Sequence, residues 1–138
     1  MENKNKEFIK TMTNDFWNNC NIDAYGDFFS EDLVAHLESG DKNSVEYKAM
    51  CQAVMTGFPD MHVSINNLVA EADQVTKVWT TNSTHKGEFM GIPPTGNKIS
   101  VKGMEVFRIK DEKIVEMWWV MDNLGLMQQI GVIPPMGG

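Results

Sequence analysis

Apolar side chains recur with the period of a helix in the first part of the chain. Over residues 6–19 they fall on one stripe of a helix, and over residues 44–58 they follow steps of three and four. Ser44 is a favourable N-cap for the second of these helices, and Gly57 is suited to its end. A shorter apolar group predicts another helix over residues 24–29.

The period changes to two after residue 60, as expected for half-buried strands. The predicted strands are residues 61–66, 75–85, 99–109 and 114–121. A loop is expected at residues 39–43, and a short helix over residues 123–130. Because helices come first and the strands follow at hairpin distance, the pattern predicts one α+β domain over residues 1–138 with an antiparallel sheet.

The last two strands predict a sheet that is apolar on both faces. Centring their turn on residues 111–112 places Glu105 opposite Trp118 and Phe107 opposite Glu116, with all four side chains on one face. The same face also receives Val101, Gly103, Ile109, Ile114, Val120 and Asp122. The opposite face receives Met104, Val106, Val115, Met117, Trp119 and Met121.

The helices of a domain this small can cover only one of these two faces. We expect the second face to meet another copy of the chain, because Met and aromatic residues are typical of interfaces and two-fold oligomers are common. The sequence therefore predicts a homodimer that forms through the sheet. The alternative is that a C-terminal segment or a loop covers this face.

Three carboxylates share the first face with apolar residues. Glu116 lies near the hairpin turn and is expected to be a solvated rim residue, whereas Glu105 either forms a salt bridge or lines a pocket. Asp122 directly precedes the last helix, so it is either the N-cap of that helix or an acid in a pocket. Glu116 and Asp122 are about 20 Å apart along one strand, which excludes a close carboxylate pair.

Composition narrows the classes of function. The net charge of −7 argues against nucleic acid or an anionic membrane as a partner. Cys20 and Cys51 have neither metal-ligand nor disulfide spacing, and we expect a reduced, cytoplasmic protein without a signal segment or membrane span. No motif for a metal, a nucleotide or a nucleophilic serine occurs, so no cofactor is predicted. His85 ends a strand before a glycine-rich loop, a position that often lines the mouth of a site.

Three blocks of sequence carry a family resemblance. They are residues 84–96 (THKGEFMGIPPTG), 107–118 (FRIKDEKIVEMW) and 122–131 (DNLGLMQQIG), preceded by Phe-Pro-Asp at 58–60. In this order and spacing they resemble the SnoaL-like polyketide cyclases (ester cyclases) of the NTF2-like superfamily. The resemblance covers most of the chain.

This resemblance implies a cone-shaped α+β fold, in which three N-terminal helices and a curved antiparallel sheet enclose an apolar pocket, usually in a homodimer. It also implies an intramolecular aldol closure of a small, apolar, polyketide-like substrate without a metal or cofactor. The carboxylate that opens the third block, Asp122, is then the general acid/base. The residues predicted to contact the ligand are His85, Trp118, Glu105, Phe107 and Trp79.

Two further functions stay open at this point. A non-catalytic binder of small molecules would use the same pocket, and a dimerising domain would retain it only as a vestige. An enzyme loses turnover but keeps its fold when its carboxylate is neutralised, whereas a binder shows stabilisation by ligand without turnover.

Overall fold

The computed structural model describes residues 1–134, and residues 135–138 of the predicted domain lie outside the described part. Its elements are α1 (Glu2–Met12), a π-helical segment (Thr13–Asn18), a 3₁₀ turn (Ile22–Ala24), α2 (Tyr25–Phe28), β1 (Phe29–Leu37), β2 (Gly40–Asn43), α3 (Ser44–Gly57), β3 (His62–Glu71), β4 (Gln74–Thr84), β5 (Lys98–Lys110), β6 (Lys113–Met121) and α4 (Asn123–Gln129). No helix in this part of the chain is long and apolar enough to cross a membrane.

The strands form one open, six-stranded sheet in the order β2-β1-β6-β5-β4-β3. Strands β3 to β6 pair antiparallel along the chain, as the periodicity predicts. β1 departs from this rule, because it pairs in parallel with β6 and antiparallel with β2. The prediction of a loop at residues 39–43 is wrong, because residues 40–43 form strand β2. Gly40, at a φ of 121°, lets β2 fold back on β1.

The predicted N-cap of α3 is also displaced by one residue. Asn43 rather than Ser44 caps the helix: its side-chain oxygen accepts the backbone N–H of Glu46 at 2.9 Å, and the Glu46 carboxylate accepts the N–H of Asn43 at 3.0 Å. The Ser44 hydroxyl lies instead 3.0 Å from the hydroxyl of Tyr25. This pairing ties α3 to the short α2 helix.

The helices pack on one face of the sheet, which we call the inner face. α1 contacts β3 and β4, whereas α3 contacts β1 and β2. Ile9, Met12 and Phe16 on the first helical segments are completely buried, as their helical stripe predicts. On the other face of the sheet, the outer face, the side chains of Met104 and Val120 are exposed, and no helix within residues 1–134 covers them.

A β-bulge in β6 decides which side chains reach each face. Ile109 pairs with Ile114 as predicted, but Arg108 then pairs with Glu116, so that Val115 is an extra residue in β6. The turn before it, with positive φ at both central residues, is the two-residue form that the hairpin spacing indicates.

The predicted register is therefore wrong beyond the bulge. Glu105 pairs with Trp119 rather than Trp118, and Phe107 pairs with Met117 rather than Glu116. A one-residue slip moves every following side chain to the other face. The inner face consequently receives Met117, Trp119 and Met121, and the outer face receives Glu116, Trp118 and Val120.

The outer face carries an ionic cluster around His36. The two ring nitrogens of His36 lie 2.9 Å from the Asp41 carboxylate and 2.8 Å from the Glu116 carboxylate. Glu116 also accepts a hydrogen bond of 3.3 Å from Arg108, and the ring of Trp118 stacks on that of His36. Glu116 thus joins β1 to β5 and β6, rather than being only a solvated rim residue.

This cluster predicts a measurable titration. The hydrogen bond with Glu116, followed by that with Asp41, raises the pKa of His36 above its ordinary value. The stabilisation from His36 is then complete below about pH 6.5, the unfolded value, and is lost as the pH rises through the higher folded value. Glu116→Gln is expected to lower the pKa of His36, which NMR titration of the imidazole measures.

Asp32→Asn is the matched control, because it removes one negative charge from an exposed position of β1. The interpretation fails if Glu116→Gln leaves the His36 titration unchanged, or if the control shifts it equally.

Candidate functional site

A cavity of about 460 Å³ lies between the helices and the inner face of the sheet. This volume is in the range of sites for small organic ligands. Its walls are mainly apolar, and include Trp17, Met50, Val54, Phe58, Val101 and Met121. Three of its exposed lining residues, Ser39, Met90 and Asn123, mark the mouth between the β1–β2 turn, the 87–97 loop and the start of α4.

One row of side chains crosses the inner face beneath this cavity. Lys77 on β4 pairs with Glu105 on β5, which in turn pairs with Trp119 on β6. The Lys77 ammonium nitrogen is 3.8 Å from a Glu105 oxygen, and the two side chains are only 1% and 5% exposed. All three residues line the cavity, so its apolar wall contains one lysine amine and one carboxyl group side by side.

Burial sets the electrostatics of this pair. It raises the pKa of Glu105 above its ordinary value, although Lys77 and the nearby Trp79 side chain oppose the shift. It lowers the pKa of Lys77, against the attraction of Glu105. Both shifts favour the uncharged forms, a carboxylic acid beside an amine.

Further hydrogen-bond donors line the same cavity. The indole nitrogens of Trp79 and Trp119 are buried without a well-formed hydrogen bond to any group of residues 1–134. The same holds for the hydroxyl groups of Thr81 and Ser83, and all four residues line the cavity. Because a buried polar atom without a partner is costly, these atoms are suited to a ligand that accepts hydrogen bonds.

Gly103 explains how Trp79 reaches this position. The two residues are cross-strand partners, and a Cβ at residue 103 would overlap the Trp79 ring. Only glycine therefore lets the indole lie flat across β5 toward the cavity.

Asp122, predicted to be catalytic, lies outside the cavity lining. Its carboxylate accepts the backbone N–H of Gly125 at 2.8 Å, and it is the N-cap of α4. A Cβ at residue 125 would overlap this carboxylate, so Gly125 permits the cap. The structure thus places Asp122 in the geometry of the capping alternative, exposed at the surface.

His85 is completely buried, but it lies behind the cavity wall. Its Nδ1 accepts the Thr95 N–H at 3.3 Å and lies 3.0 Å from the Thr95 hydroxyl. Its backbone N–H bonds the carbonyl of Asn97, and its ring packs against Phe58, which does line the cavity. His85 therefore holds the 87–97 loop and supports the wall.

The remaining predicted ligand contacts divide between the two faces. Trp79 and Glu105 line the cavity together. Phe107 points to the inner side but is buried between Val75 and Met117. Trp118 lies on the outer face, against His36 and Arg108, because the bulge reverses its direction.

Sequence reasoning missed Lys77 and Trp119. A signal for Lys77 was present, since Val75, Lys77 and Trp79 occupy alternate positions of one strand, and the lysine therefore shares the buried face. The sequence pattern gives no signal for Trp119, because the bulge reverses the direction of its side chain. No cluster of metal-ligating side chains occurs within residues 1–134.

A family model and several solved structures relate this chain to the same family of proteins. The sequence model for SnoaL-like polyketide cyclases matches residues 7–130. Among solved structures, AclR of Streptomyces galilaeus, assigned as a hydroxylase, is 29% identical, with a TM-score of 0.91 over 99% of this chain and 86% of AclR. IdmH of Streptomyces antibioticus, assigned as a polyketide cyclase, is 25% identical, with a TM-score of 0.79 over 94% of this chain and 99% of IdmH.

A protein of Jannaschia sp. CCS1, assigned as a SnoaL-like polyketide cyclase, is 23% identical, with a TM-score of 0.86 over 97% of this chain and 95% of its own. At that identity the likeness shows the fold alone, which is the α+β, NTF2-like fold that the sequence predicts. Curated protein sequences gave no match.

The cap geometry predicts the behaviour of Asp122 variants. Asp122→Ala is expected to lower the free energy of unfolding by about 1 kcal/mol, whereas Asp122→Asn should retain most of the stability, because Asn caps nearly as well as Asp. Urea denaturation of both variants measures the difference. Equal losses in the two variants, or no loss in either, would contradict the capping role.

Proposed function

We propose, on the premise that the chain belongs to the SnoaL-like polyketide cyclase family, that it is a cofactor-independent cyclase or isomerase for an apolar carbonyl compound. One carboxylate in the cavity acts as its general acid/base. The observation that carries this proposal is Glu105, a carboxylate that is 5% exposed on the wall of an apolar cavity of about 460 Å³.

Glu105 fits the role that the family resemblance gives to Asp122. A general acid/base works best when its pKa approaches the operating pH, and burial moves the pKa of Glu105 upward, in that direction. Asp122, in contrast, uses its carboxylate for the α4 cap. Glu38 also lines the cavity but is exposed at its mouth, where its oxygens accept hydrogen bonds from Met121 and Asn123.

The proposed reaction needs only proton transfers and a fixed orientation. The Glu105 carboxylate takes a proton from a carbon that lies between carbonyl groups. The resulting enolate carbon attacks a second carbonyl of the same molecule, and the Glu105 carboxylic acid returns the proton to the new alkoxide. Negative charge on oxygen would be stabilised by the buried N–H groups of Trp79 and Trp119 on the cavity wall, while the apolar walls hold the folded substrate.

The second candidate function is a non-catalytic binder of the same class of ligand. It is supported by the small number of titratable groups in the cavity wall. Deep in the cavity these are Lys77 and Glu105, with Glu38 and Lys42 nearer the mouth.

Exchange of an α-proton separates these two functions. In D₂O, the wild-type protein is expected to accelerate deuterium incorporation at the α-carbon of 1-tetralone, an apolar aromatic ketone, as followed by proton NMR. Glu105→Gln should reduce this acceleration by about 10²-fold or more, because it removes the base. Binding of the ketone, followed by the fluorescence of Trp79 and Trp119, should persist.

Asp122→Asn is the control, because it neutralises a carboxylate outside the cavity and leaves the cap in place. Exchange that survives in Glu105→Gln, or that disappears in Asp122→Asn, would overturn the assignment of Glu105. Binding without any exchange by the wild type would identify the protein as a binder.

We also infer that a second copy of the chain covers the outer face. Met104 and Val120 are cross-strand partners on β5 and β6, the two central strands of the sheet. Their side chains are 48% and 54% exposed. No helix of residues 1–134 packs over them, and an apolar patch at the centre of a sheet is suited to a two-fold contact with itself.

Sedimentation equilibrium tests this contact. The wild type is expected to be a dimer, and Val120→Glu should be a monomer because two carboxylates would be buried at the interface. Val45→Glu is the control, since Val45 is exposed on α3, away from the outer face. A monomeric wild type, or a Val120→Glu variant that remains dimeric, would contradict the proposal.

A further inference from the structure

The amine of Lys77 is an unusual group for the wall of an apolar cavity. Its side chain is 1% exposed, and its nitrogen lies 3.8 Å from Glu105, beyond the length of a hydrogen bond. The nitrogen therefore approaches its one carboxylate neighbour without being fixed by it. Lysines in structural ion pairs usually lie in water, where both charges are solvated.

We propose that Lys77 is a nucleophile that forms an imine with the carbonyl group of the bound substrate, while Glu105 transfers the protons. This inference deepens the proposed function of the same cavity and rests on it. It adds a covalent intermediate, and it assigns the lysine a catalytic role rather than a structural one.

The surroundings of Lys77 favour the uncharged amine that such a reaction requires. Burial lowers the pKa of Lys77, and Glu105 opposes the shift. Tyr47 and Cys51 face Glu105 from α3, and burial raises the pKa of both well above their ordinary values, so they add no charge near neutral pH. Desolvation of a lysine in an apolar pocket is a known route to an active amine nucleophile.

The geometry also supplies the proton transfers. The Lys77 nitrogen attacks the carbonyl carbon, and the carbonyl oxygen takes the proton of the Glu105 carboxylic acid. The nitrogen of this carbinolamine then loses a proton to Glu105. The hydroxyl group accepts the proton of the Glu105 carboxylic acid and leaves as water, while the nitrogen lone pair forms the C=N bond of a protonated imine and Glu105 is left as a carboxylate.

The imine then supports the carbon chemistry. The Glu105 carboxylate removes a proton from the adjacent carbon, and the electron pair moves onto nitrogen to give an enamine. The enamine carbon attacks a second carbonyl group of the same substrate and forms the new C–C bond, while the alkoxide oxygen takes the proton of the Glu105 carboxylic acid and the protonated imine is restored. Water finally hydrolyses the imine, which releases the product and restores the Lys77 amine. No oxidant or reductant takes part.

Covalent labelling with pentane-2,4-dione tests the proposal. This small 1,3-diketone condenses with an uncharged amine and loses one water, which leaves a stable enaminone. The chain has 11 lysines, so peptide mapping by mass spectrometry compares Lys77 with ten internal references. At pH 7 we expect Lys77 to react several-fold faster than their mean, because burial lowers its pKa and leaves a larger fraction of its amine uncharged.

Two variants locate the reaction. Lys77→Arg keeps a long basic side chain but lacks the primary amine, and it should abolish the fast labelling. Lys102→Arg is the matched control, because Lys102 lies on the outer face of β5, and this variant should label like the wild type. A saturating amount of 1-tetralone should also slow the labelling of Lys77, since it occupies the same cavity.

The outcomes separate this inference from the proposed function. Labelling of Lys77 no faster than the reference lysines overturns the imine, whether or not Lys77→Arg folds. If 1-tetralone still exchanges its α-protons in that case, acid–base catalysis by Glu105 stands alone. Fast labelling of Lys77, combined with full exchange in Glu105→Gln, would retain the nucleophile and remove Glu105 as the base.

Discussion

The buried pair of Lys77 and Glu105 is the constraint around which the inner face is arranged. Two ionisable groups 3.8 Å apart in an apolar cavity are tolerated as ions only with good geometry and additional hydrogen bonds, or as a neutral amine and acid. Their positions are opposite one another on neighbouring strands, so neither can leave the cavity wall without disturbing the sheet. Trp119 completes the row only because the Val115 bulge turns it inward.

Much of the fold could be predicted from periodicity, and the failures have physical causes. Local apolar patterns predict the helices α1 and α3 and the strands β3 to β6. β2 was missed because its residues, GDKN, are polar and its pairing depends on a glycine turn. The bulge was invisible because both faces of β6 are apolar, so a shift of one residue leaves the pattern unchanged.

The site was less predictable than the fold. Alternation left Glu105 open between a salt bridge and a pocket lining, and Trp79 was predicted as a ligand contact only with the family resemblance. Lys77 occupies the same alternate row as Trp79. Asp122 satisfied both a family motif and a capping pattern, and the glycine three residues later, which leaves space for the carboxylate, favours the cap. Side-chain direction after a bulge and the identity of cavity walls depend on contacts between distant segments, which periodicity does not contain.

The titration of Lys77 in the intact protein tests this account most directly. With ¹³C-labelled lysine, and with the Lys77 resonance assigned from Lys77→Arg, NMR follows the charge of this amine as the pH changes. The account predicts that Lys77 loses its proton below the ordinary range of a lysine side chain, and that Glu105→Gln lowers its pKa further by removing the opposing charge. A Lys77 that titrates at or above the ordinary value would show a solvated or firmly paired ammonium, and would contradict the central role of this pair.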